Sequence, residues 1–117
     1  MEAKYIERLE QGIRVLENPP KGLKFNLKLW TACGTVACAV GMMAQDPWFQ
    51  AQGLTLSHPK DGYPTFKQSQ GWNATAHFFG LTGRTEAYHL FSYDSYKKDK
   101  SRRAVVRRIK KFLKKQE

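Results

Sequence analysis

The sequence has no apolar run long enough to cross a membrane. The one uncharged candidate, LWTACGTVACAVGMMA at 29–44, falls short of the roughly 20 residues a span needs, and Lys28 and Asp46 bracket it. The opening MEAKYIERLE carries charge at once and lacks an apolar h-region, so no secretory signal or membrane anchor is expected, and the expected location is cytoplasmic. Cysteine is scarce. Cys33 and Cys38 are the only two, expected as thiols in a reducing compartment, where the sequon Asn73-Ala74-Thr75 would also stay unmodified. No C-x-x-C or H-x-x-x-H spacing occurs, and His58, His77 and His89 are scattered. Cys33 and Cys38 lie five apart, about 140° around a helix, so they would share neither a metal ion nor a disulfide there. No metal site and no cofactor are expected. Acidic residues are missing where basic ones are densest, with none between Lys100 and Gln116.

What is present describes one domain over 1–117. A chain of 117 residues with 41% apolar residues can bury a single core. Its formal net charge is +10, and the excess is local: residues 97–117 carry eleven Lys or Arg against two acidic residues, whereas 1–96 carry nine against eight. A block of that kind is an electrostatic footprint suited to RNA, DNA, an anionic membrane surface or an acidic protein face.

In chain order, Tyr5, Ile6, Leu9, Ile13 and Leu16 form one stripe of an amphipathic helix over 2–18, which Pro19 and Pro20 stop. Leu23, Phe25, Leu27 and Leu29 alternate with polar residues or glycine, as in a short half-buried strand. The run at 29–44 then reads as a buried central helix at about 32–45, capped by Thr31, with Gly34 and Gly41 offering a groove for a close backbone partner. Asp46-Pro47 opens a short helix that Gly53 closes. LTLS and YPTFK flank a turn and read as a β-hairpin at about 54–67, with Pro64 on an edge strand. Helices follow at 74–79 and 84–91 across a Gly80-Leu81-Thr82-Gly83 break, then a loop at 93–100. A basic amphipathic helix at about 101–116, capped by Ser101, ends the chain. The expected fold is α+β and mostly helical, with about five helices around the central one.

The succession CGTVACAVG, DPWFQAQGLTL, FFGLTGRTEAYHLF and RAVVRRIKKFL resembles a group of small bacterial and phage-type proteins. That resemblance implies one helix-rich domain and carries over no activity. CGTVACAVGM is also similar to the cysteine box of bacteriocin-leader-type cysteine peptidases, in which Cys-Gly opens a buried helix. It implies Cys33 as a nucleophile, since a thiol in the first turn of a helix has its thiolate favoured. The glutamine that such enzymes place shortly before the cysteine is missing, and His77 and His89 fall in helical patterns rather than on a strand; a buried structural thiol fits as well. Ala76 to Thr82 resembles the first half of a helix-turn-helix, with Thr82 as the cap. The second half departs from that motif, because Glu86 and His89 stand where the recognition helix needs apolar residues, so an ordinary helical hairpin fits better.

The basic helix carries the functional reading. Val105, Val106, Ile109, Phe112 and Leu113 cover about a third of its circumference, and Arg103, Arg107, Arg108, Lys110, Lys111, Lys114 and Lys115 fill the rest. Such a run can simply solubilise a protein, but seven cations without i,i+4 acidic partners accept a repulsion that an anionic partner would relieve. Tyr88, Tyr93 and Tyr96 lie nearby in sequence and could stack on bases. The expectation is a binding module for nucleic acid without strong sequence specificity. The alternatives are an interaction or inhibitor-type protein on an acidic protein surface, and a papain-like cysteine hydrolase using Cys33.

Overall fold

Helix α1 spans Ala3–Glu17, where Leu9, Ile13 and Leu16 recur at helical spacing and bury while Glu7, Glu10 and Arg14 stay in water. It stops at Asn18, whose N–H still closes on the Arg14 carbonyl at 3.0 Å, because Pro19 can neither donate nor leave Asn18 helical. The computed structural model describes residues 1–32, 35–58 and 61–117.

The uncharged run is not one helix. Thr31–Ala32 is strand β2, Val36–Ala37 is strand β3 and helix α2 occupies only Ala39–Met43, which corrects the helix expected at about 32–45. Strand β1, Lys24–Phe25, explains the change. It pairs in parallel with β3, which pairs antiparallel with β2, and the Lys24 and Asn26 N–H groups bond to the Thr35 and Ala37 carbonyls at 2.7 and 2.9 Å. β-Branched Thr31 and Val36 suit that extended pairing, and a distant strand supplies the ladder that a helix would otherwise supply locally. Thr31 therefore caps none of the described helices; its hydroxyl donates to the Asp61 carboxylate and the Gly62 carbonyl, at 3.2 and 3.0 Å. Cys38 takes the capping position, its Sγ accepting the Gly41 N–H at 3.4 Å.

Burial follows the expectation from Ala37 onward, since every residue of α2 is buried, whereas Thr35 is exposed. The close backbone partner expected at Gly41 is Trp30. A Cβ at Gly41 would overlap the Trp30 carbonyl oxygen and lie 2.9 Å from its carbonyl carbon.

Helix α3, Pro47–Ala51, is capped by Asp46, which accepts the Trp48 and Phe49 N–H groups at 3.0 and 3.3 Å. The hairpin forms from β4, Thr55–His58, and β5, Asp61–Phe66, and gains a third strand, β6, Ser69–Gln70. That addition makes β5 the middle strand, so Pro64 is not on an edge strand as expected. β6 pairs only with Thr65 and Phe66, which leaves the proline outside the second ladder.

Helices α4, Gly71–Phe79, and α5, Arg84–Phe91, form a hairpin broken at Gly80, whose φ of +65° suits glycine and whose missing Cβ admits the Tyr5 ring of α1. A 3-10 turn at Tyr93–Ser95 opens the segment expected as a loop, and α6 runs over Arg102–Lys114. The chain is thus α+β and mostly helical, with the fully buried α2 at its centre. Leu9 and Leu16 of α1, Met42 and Met43, Phe49, Phe78, Phe79 and Phe91 make the core, and Val105, Val106 and Ile109 bring α6 onto it beside α1. No described helix is long and apolar enough to cross a membrane.

Candidate nucleic-acid interface

Helix α6 is fixed at its first turn by its own sequence. Ser101 Oγ accepts the Ala104 N–H at 3.2 Å, and Asp99 accepts the Ser101 N–H at 3.0 Å. The Ser101 side chain, then Arg107, then the Ser101 N–H hold the Asp99 carboxyl down to about 2. Ala104, Val105, Val106 and Ile109 bury against the core, and Arg102 donates to the Leu16 carbonyl of α1. The docked face fixes which cations face outward.

The seven cations do not form one uniform face. Arg108 turns inward: its Nη1 donates to the His89 carbonyl at 2.7 Å and to Ser95 at 3.0 Å, and its guanidinium lies 3.6 Å from the centre of the Tyr96 ring. Arg107 pairs with Asp99 at 2.8 Å and Lys110 with Glu17 at 3.6 Å, all with side chains about half exposed or more. Pairs of that kind contribute little and exchange easily for another anion. Arg103, Lys111, Lys114 and Lys115 are exposed and have no ion pair among the described residues.

The neighbouring tyrosines separate in the same way. Tyr96 is 3% exposed, with its hydroxyl donating to the Leu90 carbonyl at 2.6 Å, and burial pushes its pKa up to about 12 against the opposing pull of Arg108. Tyr88 and Tyr93 are 40% and 37% exposed. They line a cleft of about 360 Å³ together with Trp30, Trp72, Lys28 and Asp94. The Trp30 and Trp72 rings sit 4.5 Å apart, Trp72 and Tyr88 5.2 Å apart edge to face, and the Tyr88 hydroxyl donates to Asp94 at 2.7 Å. The sequence gives no local signal for this cleft, because its two indoles come from distant segments. Lys28 and Lys100 stand 5.7 and 3.6 Å from the Tyr93 ring centre.

The other candidates resolve differently. Cys33 lies outside the described residues, and the helix start that would favour its thiolate falls instead at Ala39. Cys38 is buried, and that burial raises its thiol to about 11. His77 and His89 are exposed on α4 and α5. Among the described residues no three His, Cys, Asp or Glu side chains cluster as metal ligands do. The α4–α5 pair buries Ala87, Leu90 and Phe91, as the hairpin reading requires. Thr82 does not cap α5; the N-cap is Gly83, and Glu86 reaches back to accept the Thr82 N–H at 3.0 Å.

No protein-family model, curated protein or solved structure matches the chain.

Proposed function

We propose that the protein is a small binding module that holds nucleic acid by its phosphates along α6, without strong sequence specificity. The observation that carries this reading is the set formed by Arg103, Lys111, Lys114 and Lys115, exposed and free of ion pairs among the described residues on a helix docked by its apolar face. Arg107 and Lys110, held only by exposed pairs, join that set when phosphates replace Asp99 and Glu17. Arg108 is left out because its hydrogen bonds are committed internally. Cations on one helix face neutralise phosphates and release counterions, which favours any sequence equally. The reading belongs to the cytoplasm, where such ligands are found.

The test is a salt series by fluorescence anisotropy with mixed-sequence DNA and RNA. For about four to six phosphate contacts on a duplex, affinity falls by about 10²- to 10³-fold between 50 and 200 mM salt. Charge reversal at Lys111 and Lys114 together reduces the slope by about two contacts and leaves the fold intact, at a cost of about 1–2 kcal/mol because both exposed side chains sit in the last turn of α6, where the helix dipole favours cations. Absence of binding at low salt removes nucleic acid and turns the basic face toward an acidic protein surface or plain solubility.

A further inference from the structure

The aromatic cleft does not end at its own walls. Trp72 and Arg84 also line a depression that reaches Tyr63 and Asn73, and Tyr93 also lines one that reaches Lys100 and Arg103 at the start of α6. A third depression, bounded by Trp72, Arg84 and Tyr88, joins the first to the cleft. The result is one open path from Tyr63 past Trp72 and Tyr88 to Tyr93, ending at the basic helix.

We propose that the ligand is single-stranded nucleic acid, whose bases stack along this path while its backbone runs past Arg84 and Lys28 onto Lys100 and Arg103. The inference rests on the reading of α6 as a phosphate-binding face and adds what that face alone lacks, a reason to prefer unpaired strands.

Three observations carry it. Tyr63, Tyr88 and Tyr93 are three of the five large apolar residues most exposed among the described ones, and all three lie on this path. Rings left in water gain most from a flat partner, and every base has a π-face. The charge along the path is complementary to a polyanion: Lys28, Arg84, Lys100 and Arg103 line it, and Asp94, the one carboxylate among the described residues that line it, already accepts the Tyr88 hydroxyl. Finally, a recess walled by rings admits a splayed-out base, whereas a duplex keeps its base faces stacked inside and can offer only its backbone. Lys100 covers one side of Tyr93 and donates to its carbonyl at 2.9 Å, so it sits where the strand leaves the rings for the helix.

The experiment compares a short mixed-sequence single strand, the duplex formed from it and an abasic strand of the same length, each labelled for anisotropy at one salt concentration. The expected result is that the single strand binds about 10-fold or more tightly than the duplex, and that the abasic strand loses this advantage. Tyr63→Ala with Tyr88→Ala removes two exposed rings and should bring single strand and duplex together without changing the salt slope. The Lys111 and Lys114 reversal should do the opposite, flattening the slope while the preference survives. Equal binding of single strand and duplex by the wild-type protein, or a preference that persists in the tyrosine variant, overturns the inference and leaves the α6 reading standing. Failure of all three probes to bind overturns both.

Discussion

Replacing Gly41 by alanine sets local propensity against tertiary contact. Gly41 lies inside α2, where alanine is about 1 kcal/mol better than glycine, so propensity alone makes the variant more stable. The neighbouring chain dictates the reverse. The new Cβ would overlap the Trp30 carbonyl oxygen and lie 2.9 Å from its carbon and 3.1 Å from the Ala37 Cβ, against about 3.5–4.0 Å for ordinary carbon contacts. Relief requires Trp30 to retreat. Its segment is anchored by the Cys38 N–H on the Leu29 carbonyl at 2.7 Å, and its ring rests 4.5 Å from that of Trp72. Overpacking costs about 1–3 kcal/mol and a weakened backbone hydrogen bond about 1 more, so after the propensity gain the variant loses about 1–3 kcal/mol. In a domain of this size that lowers Tm by about 5–15 °C in a thermal melt followed by circular dichroism. Gly12→Ala is the control, because there the nearest atom is the flexible end of Met43 at 2.8 Å, and its loss should be less than half as large. A Gly41→Ala melt at or above wild type would refute the close approach of Trp30 to α2.

Three further outcomes follow from the same contacts. Because burial raises the Cys38 thiol from 9.0 to about 11, the folded state keeps a proton that the unfolded chain releases; that stability is complete below pH 9 and is lost as pH rises to 11, about 2–3 kcal/mol by urea titration, with a smaller loss in Cys38→Ala. Ser101→Ala removes the α6 cap and should cost about 1 kcal/mol in the same titration. Arg108→Ala breaks the bonds to His89 and Ser95 and the contact with Tyr96, and should destabilise by about 1–3 kcal/mol while leaving the salt dependence of nucleic-acid binding unchanged; a changed slope would place Arg108 on the ligand face.

The parts legible in the sequence are those whose cause is local. Asp46-Pro47 and Ser101 announce the starts of α3 and α6 through bonds made within three residues, and the Val105, Val106 and Ile109 stripe needs only helical spacing. The break of the uncharged run into β2, β3 and α2 was illegible, because it depends on Lys24–Phe25, outside the run, pairing with Val36–Ala37 twelve residues further on. Arg108 looks like its neighbours on a helical wheel. Its inward turn is decided by the Tyr96 ring and by the His89 and Ser95 carbonyls, none of them on its helix. The cleft is hidden for the same reason, since Trp30 and Trp72 stand 42 residues apart in sequence and meet only through tertiary packing.

The packing of α6 on α1 also sets an order of events during synthesis. The bond between Arg102 and the Leu16 carbonyl joins residues 86 positions apart, so at about 5–20 residues per second the apolar stripe of α1 leaves the ribosome about 4–17 s before its cover does. Until then Leu9, Ile13 and Leu16 lack the neighbour that helps to shield them, and the chain is exposed to premature association. The helix that covers this face of α1 is also the most highly charged of the described helices, so a strongly cationic segment must fold back onto an apolar stripe to complete the core.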